Sequence, residues 1–134
     1  MAKSLLDVIA SLGTPKVLVI GDLMLDRYVW GNAERISQEA PVILLRADKK
    51  EERLGGASSV ATMLRALDAN VSIIGLVGDD RDGEKIIDIL QNLQINSVGI
   101  IKDSSRPTTV KERYVGRAQQ KHPQQILRVD YEVR

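Results

Sequence analysis

Cysteine is absent from the 134-residue chain. No disulfide, no thiolate zinc site and no cysteine nucleophile can form, and an intracellular setting is the easiest expectation. Phenylalanine is absent too; with one Trp and three Tyr, aromatics reach only 3%. The core must be aliphatic, and a nucleic-acid surface would lack rings for bases to stack on. Charge of one sign is also missing: 19 Lys+Arg against 18 Asp+Glu leave +1, which argues against a polyanion-binding role. The single histidine, His122, lies in Lys121-His122-Pro123. Without a second histidine or a cysteine it makes no transition-metal site, and it reads as a surface residue. No apolar run approaches the roughly 18 residues needed to span a bilayer. Residues 1–11 have neither the long apolar stretch nor the cleavage site of a signal peptide. A soluble cytoplasmic protein with no membrane and no nucleic-acid partner is expected.

What is present is a chain able to build a core. Hydrophobic residues are 43% and charged residues 28%, a globular composition. The length suits one compact domain or half of a larger one. Ser4 caps a helix carrying Leu5, Val8, Ile9 and Leu12, which Gly13 stops. Residues 17–20, all apolar and mostly β-branched, predict a strand buried on both faces, as in parallel sheets. Short strands are expected at 28–30 and 42–46, and the charged residues 48–53 suit a solvated edge or hairpin. Ala57, Val60, Ala61, Leu64 and Leu67 repeat at helical spacing, as do Ile86, Ile87, Leu90 and Leu93. Asp79, Asp80, Asp82 and Glu84 crowd the start of the second of these helices, where the dipole favours carboxylates. Further strands are expected at 71–77, 97–101, 108–115 and 125–129. Strands alternating with helices imply an α/β fold with a parallel sheet and right-handed crossovers. The insert at 28–53 breaks the alternation and reads as a separate small sheet or flap. Residues 131–134 follow a strand with no closing helix, so the chain reads as the front part of a larger domain.

Three groups could carry chemistry. Asp22 stands just past the first strand, where ligands of open α/β sheets bind; its carboxylate can accept sugar hydroxyls, or it is a turn residue. Gly55-Gly56 precedes a helix and lets backbone N–H groups approach a ligand, or it is a plain helix entry. It is neither a Walker loop nor a G-x-G-x-x-G fingerprint. Lys111 and Arg113 share one strand face and could meet an anion, or they face solvent. Asp26 is assigned a structural or flap-supporting role.

Residues 17–28 (VLVIGDLMLDRY), 35–41 (RISQEAP), 52–57 (ERLGGA), 75–83 (GLVGDDRDG) and 107–113 (PTTVKER) resemble the ribokinase-like carbohydrate kinases. With Gln119-Gln120 and Leu127-Arg128-Val129-Asp130, they resemble more narrowly those acting on heptose 7-phosphate. The resemblance implies that residues 1–134 are the N-terminal part of a Rossmann-like ribokinase fold with a small β-sheet lid. The lid segments would be about 28–53 and 107–117. By resemblance, Asp22, Gly55, Gly56 and Ser59 hold sugar hydroxyls; Lys111 and Arg113 hold the substrate phosphate; Gln120, Arg128 and Asp130 line the same cleft. Ser59 stands where the family usually has Asn, and Gln38 where the subfamily usually has Pro. The resemblance further implies a sugar phosphate substrate, a homodimer paired through the lid, and transfer of the ATP γ-phosphate to the anomeric hydroxyl for ADP-heptose and lipopolysaccharide core synthesis. The family's catalytic Asp and its site for ATP and Mg2+ lie further downstream. This segment alone is therefore expected to bind neither cofactor and to be inactive. Alternatives are a non-catalytic sugar-phosphate-binding or dimerisation module, and a kinase for another sugar.

Overall fold

The computed structural model describes residues 4–118 and 122–133. The chain order is α1 (Leu5–Ser11), β1 (Lys16–Ile20), β2 (Leu23–Ile36), β3 (Ile43–Gly55), α2 (Gly56–Ala66), β4 (Asn70–Gly78), α3 (Arg81–Asn92), β5 (Asn96–Asp103), β6 (Thr109–Arg117) and β7 (Gln124–Tyr131). They form two sheets. The first is parallel, in the order β1-β4-β5. The second has the order β3-β2-β6-β7, with β2 parallel to β6 and antiparallel to β3, and β7 antiparallel to β6. This is the expected α/β core with a separate small lid sheet.

Right-handed crossovers place α2 and α3 on the same face of the parallel sheet. Val71, Ile73 and Val77 of β4, Ala61 of α2, and Ile86 and Leu90 of α3 form the core there, with Val17 and Val19 packed against it. Nothing among the described residues covers the other face. Burial alternates along β1, leaving Leu18 at 54% and Ile20 at 69% exposure. The expected burial of β1 on both faces is therefore corrected: its apolar run is continuous, but only the helix-facing half is covered.

The lid is larger than the sequence suggests. β2 is 14 residues long rather than a short strand at 28–30, and the charged residues 48–53 are the C-terminal half of a 13-residue β3. Cross-strand ion pairs explain how so charged a segment stays extended. Arg27 on β2 reaches Glu52 of β3 at 2.9 Å, Asp82 of α3 at 2.5 Å and Glu112 of β6 at 3.6 Å. At the lid's root Leu25 pairs with Leu54 on one side and Val110 on the other, and all three are buried. The lid thus shares its hydrophobic core with the parallel sheet.

A second junction is polar. Asp80 caps α3, accepting the Gly83 N–H at 2.8 Å. It also accepts the Thr108 hydroxyl at 2.7 Å and the Thr108 N–H at 2.8 Å, while that hydroxyl accepts the Gly78 N–H at 2.8 Å. Thr108, immediately before the lid strand β6, is buried. Burial alone would raise the Asp80 pKa; the bonds from Thr108 and Gly83 outweigh it and hold the carboxyl below the ordinary 3.8. A folded value below the unfolded one stabilises the fold above the ordinary range, and the stabilisation is lost as pH falls through the depressed value. Asp80→Ala should cost about 2 kcal/mol at pH 7, since it removes a cap and leaves buried donors unpaired. Urea unfolding at pH 7 and pH 3 checks this: the gap between the two proteins should narrow at the lower pH.

Candidate functional site

Strand parity builds the site. Met24, Asp26, Tyr28 and Trp30 alternate along β2 on the face opposite the buried Leu25 and Val29. The lid register then sets two successive rungs on this face. One reads Arg53–Asp26–Lys111–Asp130 across β3, β2, β6 and β7. The next reads Glu51–Tyr28–Arg113–Arg128. Cations and anions alternate along the first rung.

Gly55 and Gly56 close the core end of this face. Gly56 has φ +55°, and a Cβ there would lie 2.6 Å from the Asp22 carbonyl oxygen. That carbonyl accepts the Ala57 N–H at 2.9 Å, so Asp22 and the start of α2 are fixed together. A Cβ on Gly55 would lie 2.7 Å from Asp26 Oδ2; glycine is what lets that carboxylate approach the backbone. The other oxygen, Oδ1, accepts from Arg113 Nη1 at 2.6 Å. This bond, and the Asp26 charge, push the Arg113 pKa up. Lys111 lies 3.3 Å from Asp130 and 3.6 Å from Glu132, and Arg128 bonds Asp130 at 3.0 Å. Burial would raise the Asp130 pKa, but its cations Lys111 and Arg128 hold it low.

The structure thus brings Asp22, Gly55 and Gly56 together at one end of a face that also carries Lys111, Arg113, Arg128 and Asp130. Ser59 is placed otherwise: half-buried on α2, it lines a groove toward α3 with Arg53, Leu54, Thr62, Met63, Ile89 and Leu93. Gln120 lies outside the described residues. His122 is exposed, as expected. The sequence reading gave Asp26 only a structural role, yet Asp26 touches both the glycine turn and Arg113. Its even spacing of four residues from Asp22, which gives the two carboxylates one strand parity, was the available signal. Among the described residues no cluster of three or more His, Cys, Asp or Glu is placed to hold a metal ion.

This face opens beside a Gly-Gly turn at the carboxyl end of β1, in a fold of parallel sheet plus lid. The family model for pfkB carbohydrate kinases matches residues 14–122, and the chain belongs to that family. More narrowly, it is 45% identical over 118 residues to the bifunctional protein HldE of Wolinella succinogenes, and 45% over 119 residues to that of Helicobacter pylori strain HPAG1. These alignments take in 88% and 89% of the chain but 24% and 25% of the relatives, so the chain spans about a quarter of their length. Among solved structures, it resembles a carbohydrate kinase from Agrobacterium tumefaciens (TM-score 0.68, 20% identity, 87% of this chain and 35% of that one). It also resembles the ribokinase of Arabidopsis thaliana, solved with ribose and ATP (TM-score 0.64, 17% identity, 87% and 36%). At these identities the structural likeness establishes the fold.

The left-handed backbone at Gly56 gives a direct test of the turn. Gly56→Ala should cost about 1–3 kcal/mol, from the positive φ and the clash with the Asp22 carbonyl. Thermal unfolding of the purified variant measures it; a stability equal to the parent would show that the turn is not fixed as described.

Proposed function

We propose that this chain is the acceptor-sugar half of a heptose 7-phosphate kinase. The observation that carries the reading is a single sheet face with hydroxyl acceptors at one end and cations beside them. Asp22 and Asp26 would accept sugar hydroxyls near the Gly55-Gly56 turn, and Lys111 and Arg113 would hold the substrate's own phosphate. Arg128 and Asp130 border the same face, while Ser59, in the first turn of α2, lines the neighbouring groove toward α3. The pfkB family and the likeness to HldE support the substrate class.

Phosphoryl transfer is mostly positioning plus electrostatic stabilisation. In the complete enzyme, Mg-ATP would supply the transferred γ-phosphoryl group. This chain's residues would orient the sugar so that its anomeric hydroxyl faces the donor, giving the 1,7-bisphosphate used for ADP-heptose in the lipopolysaccharide core. The chain by itself is proposed to bind sugar without turning over ATP, and to work in the cytoplasm. We also propose that two copies pair through the outer lid, where Ile36, Val42 and Ile43 are more than half exposed. Sedimentation at tens of micromolar, roughly where weak interfaces populate, should show a dimer that Ile43→Lys reduces to monomer.

Calorimetry with heptose 7-phosphate and with the unphosphorylated heptose tests the sugar site. Asp22→Asn should weaken both by about ten- to a hundredfold, since hydrogen bonds to charged groups are worth roughly 1.5–3 kcal/mol. Lys111→Met should weaken only the phosphorylated sugar. Unchanged affinity for both sugars in Asp22→Asn would return Asp22 to a turn role.

A further inference from the structure

Lys111 and Arg113 share one face of β6, but their side chains diverge. Lys111 turns toward β7, where the carboxylates of Asp130 and Glu132 surround it at 3.3 and 3.6 Å. Arg113 turns the other way, over the ring of Tyr28, with its guanidinium carbon 5.2 Å from the ring centroid. On the far side of β2, Arg53 of β3 comes to the same ring at 5.3 Å. The two arginines stand on strands separated by β2, about 10 Å apart in backbone, and converge on one aromatic side chain.

We propose that Arg53 is a further arm of the anion site, so that the substrate phosphate is held beside Tyr28 by the guanidinium groups of Arg53 and Arg113, with the Lys111 ammonium on its β7 side. The inference rests on the sugar-phosphate reading and adds to it a specificity-determining residue.

The chemistry of the two arms is complementary. Arg113 is the fixed arm. Its side chain is only 19% exposed, and it is held by Asp26 at 2.6 Å and by the Lys111 carbonyl at 3.3 Å. Arg53 is the movable arm, 63% exposed, and among the described residues its one ion pair is with Glu51 at 3.1 Å. A surface pair of this kind is weak, so releasing Arg53 toward a phosphate costs little. Each guanidinium carries five N–H donors, and one carboxylate partner leaves several unused. Two forks facing one phosphate match its oxygens in a way that an ammonium cannot. The Tyr28 ring lies within cation–π reach of both guanidiniums and stacks on Trp30 at 6.2 Å, which holds the two arms near one point. Glu51 also accepts the Trp30 indole N–H at 3.2 Å, so movement of Arg53 is coupled to the only tryptophan in the chain.

The test titrates the 134-residue chain with heptose 7-phosphate, with the unphosphorylated heptose and with inorganic phosphate. Calorimetry and Trp30 emission are read together. Arg53→Met should weaken heptose 7-phosphate roughly tenfold or more, the scale of a lost charge-assisted bond, and leave the unphosphorylated heptose unchanged. Arg53→Lys should recover part of the loss. Lys50→Met, three residues along β3 and paired with the buried-face Val29, points to the opposite face and should change neither. The Trp30 response to heptose 7-phosphate should disappear in Arg53→Met. Unchanged affinity in Arg53→Met overturns the proposal. So does an equal loss for both sugars, which would make Arg53 a structural residue. If the parent chain binds heptose with no preference for the phosphorylated form, the clamp fails while the sugar reading stands. If it binds neither sugar nor phosphate, both fall.

Discussion

The parallel pairing of β2 with β6 is the constraint on which the site depends. Asp26 and Lys111 stand opposite each other in that register although 85 positions separate them in the chain. Shifting the register by one residue would turn every side chain of β6 to the other face. Val110 would then leave the core, and Lys111 and Arg113 would point toward α3. The buried trio Leu25, Leu54 and Val110 opposes such a slip, because it must stay on the covered side. Hydrophobic burial at the lid's root therefore fixes the geometry of a polar face it does not touch.

That polar face is organised by local neutralisation. Arg113 has Asp26, Arg53 has Glu51, and Lys111 has Asp130 and Glu132. Arg113 and Lys111 are held in place without a ligand, so little of their rotamer entropy remains to be lost on binding, whereas the more exposed Arg53 stays free to move. The acids also prevent a run of unpaired like charges, which a β-sheet tolerates poorly. Arg27 repeats the arrangement on the opposite face, gathering Glu52, Asp82 and Glu112. Together with Asp80 and Thr108, it ties the lid to the first turn of α3 from outside the site.

The sequence carried the repeating elements well. Helix positions followed from period 3.6, β4 and β5 from short apolar runs, and the start of α3 from the acids gathered there, although which of them caps the helix did not. Charge hid the lid strands, however. Residues 48–53 are the solvated edge that their charge suggests, since β3 is an outer strand of the lid paired antiparallel with β2, but the strand's full length was not legible, because its charge partners lie on β2, β6 and α3. Asp26 was passed over for the same reason. Its meaning comes from Arg113, and that contact exists only through the β2–β6 register. The Arg53 placement was likewise out of reach, since β3 meets Tyr28 only once the antiparallel register with β2 is known.

The parallel sheet shows where local pattern and tertiary context part. The alternation in β1 and β4 sends Val17, Val19, Val71 and Ile73 into the core, and leaves Leu18, Ile20, Ile74 and Leu76 on the side without helices. Parallel sheets are normally covered on both faces, and these strands are apolar on both. The burial that α2 and α3 provide is therefore about half of what the strand sequences are built for. In the described chain, stability concentrates on the helix-covered side and at the lid's root. The Gly55-Gly56 turn and Asp22 sit where those two regions meet. The site is thus mounted on the best-packed part of the molecule, and its cationic arms extend from there along β3 and β6.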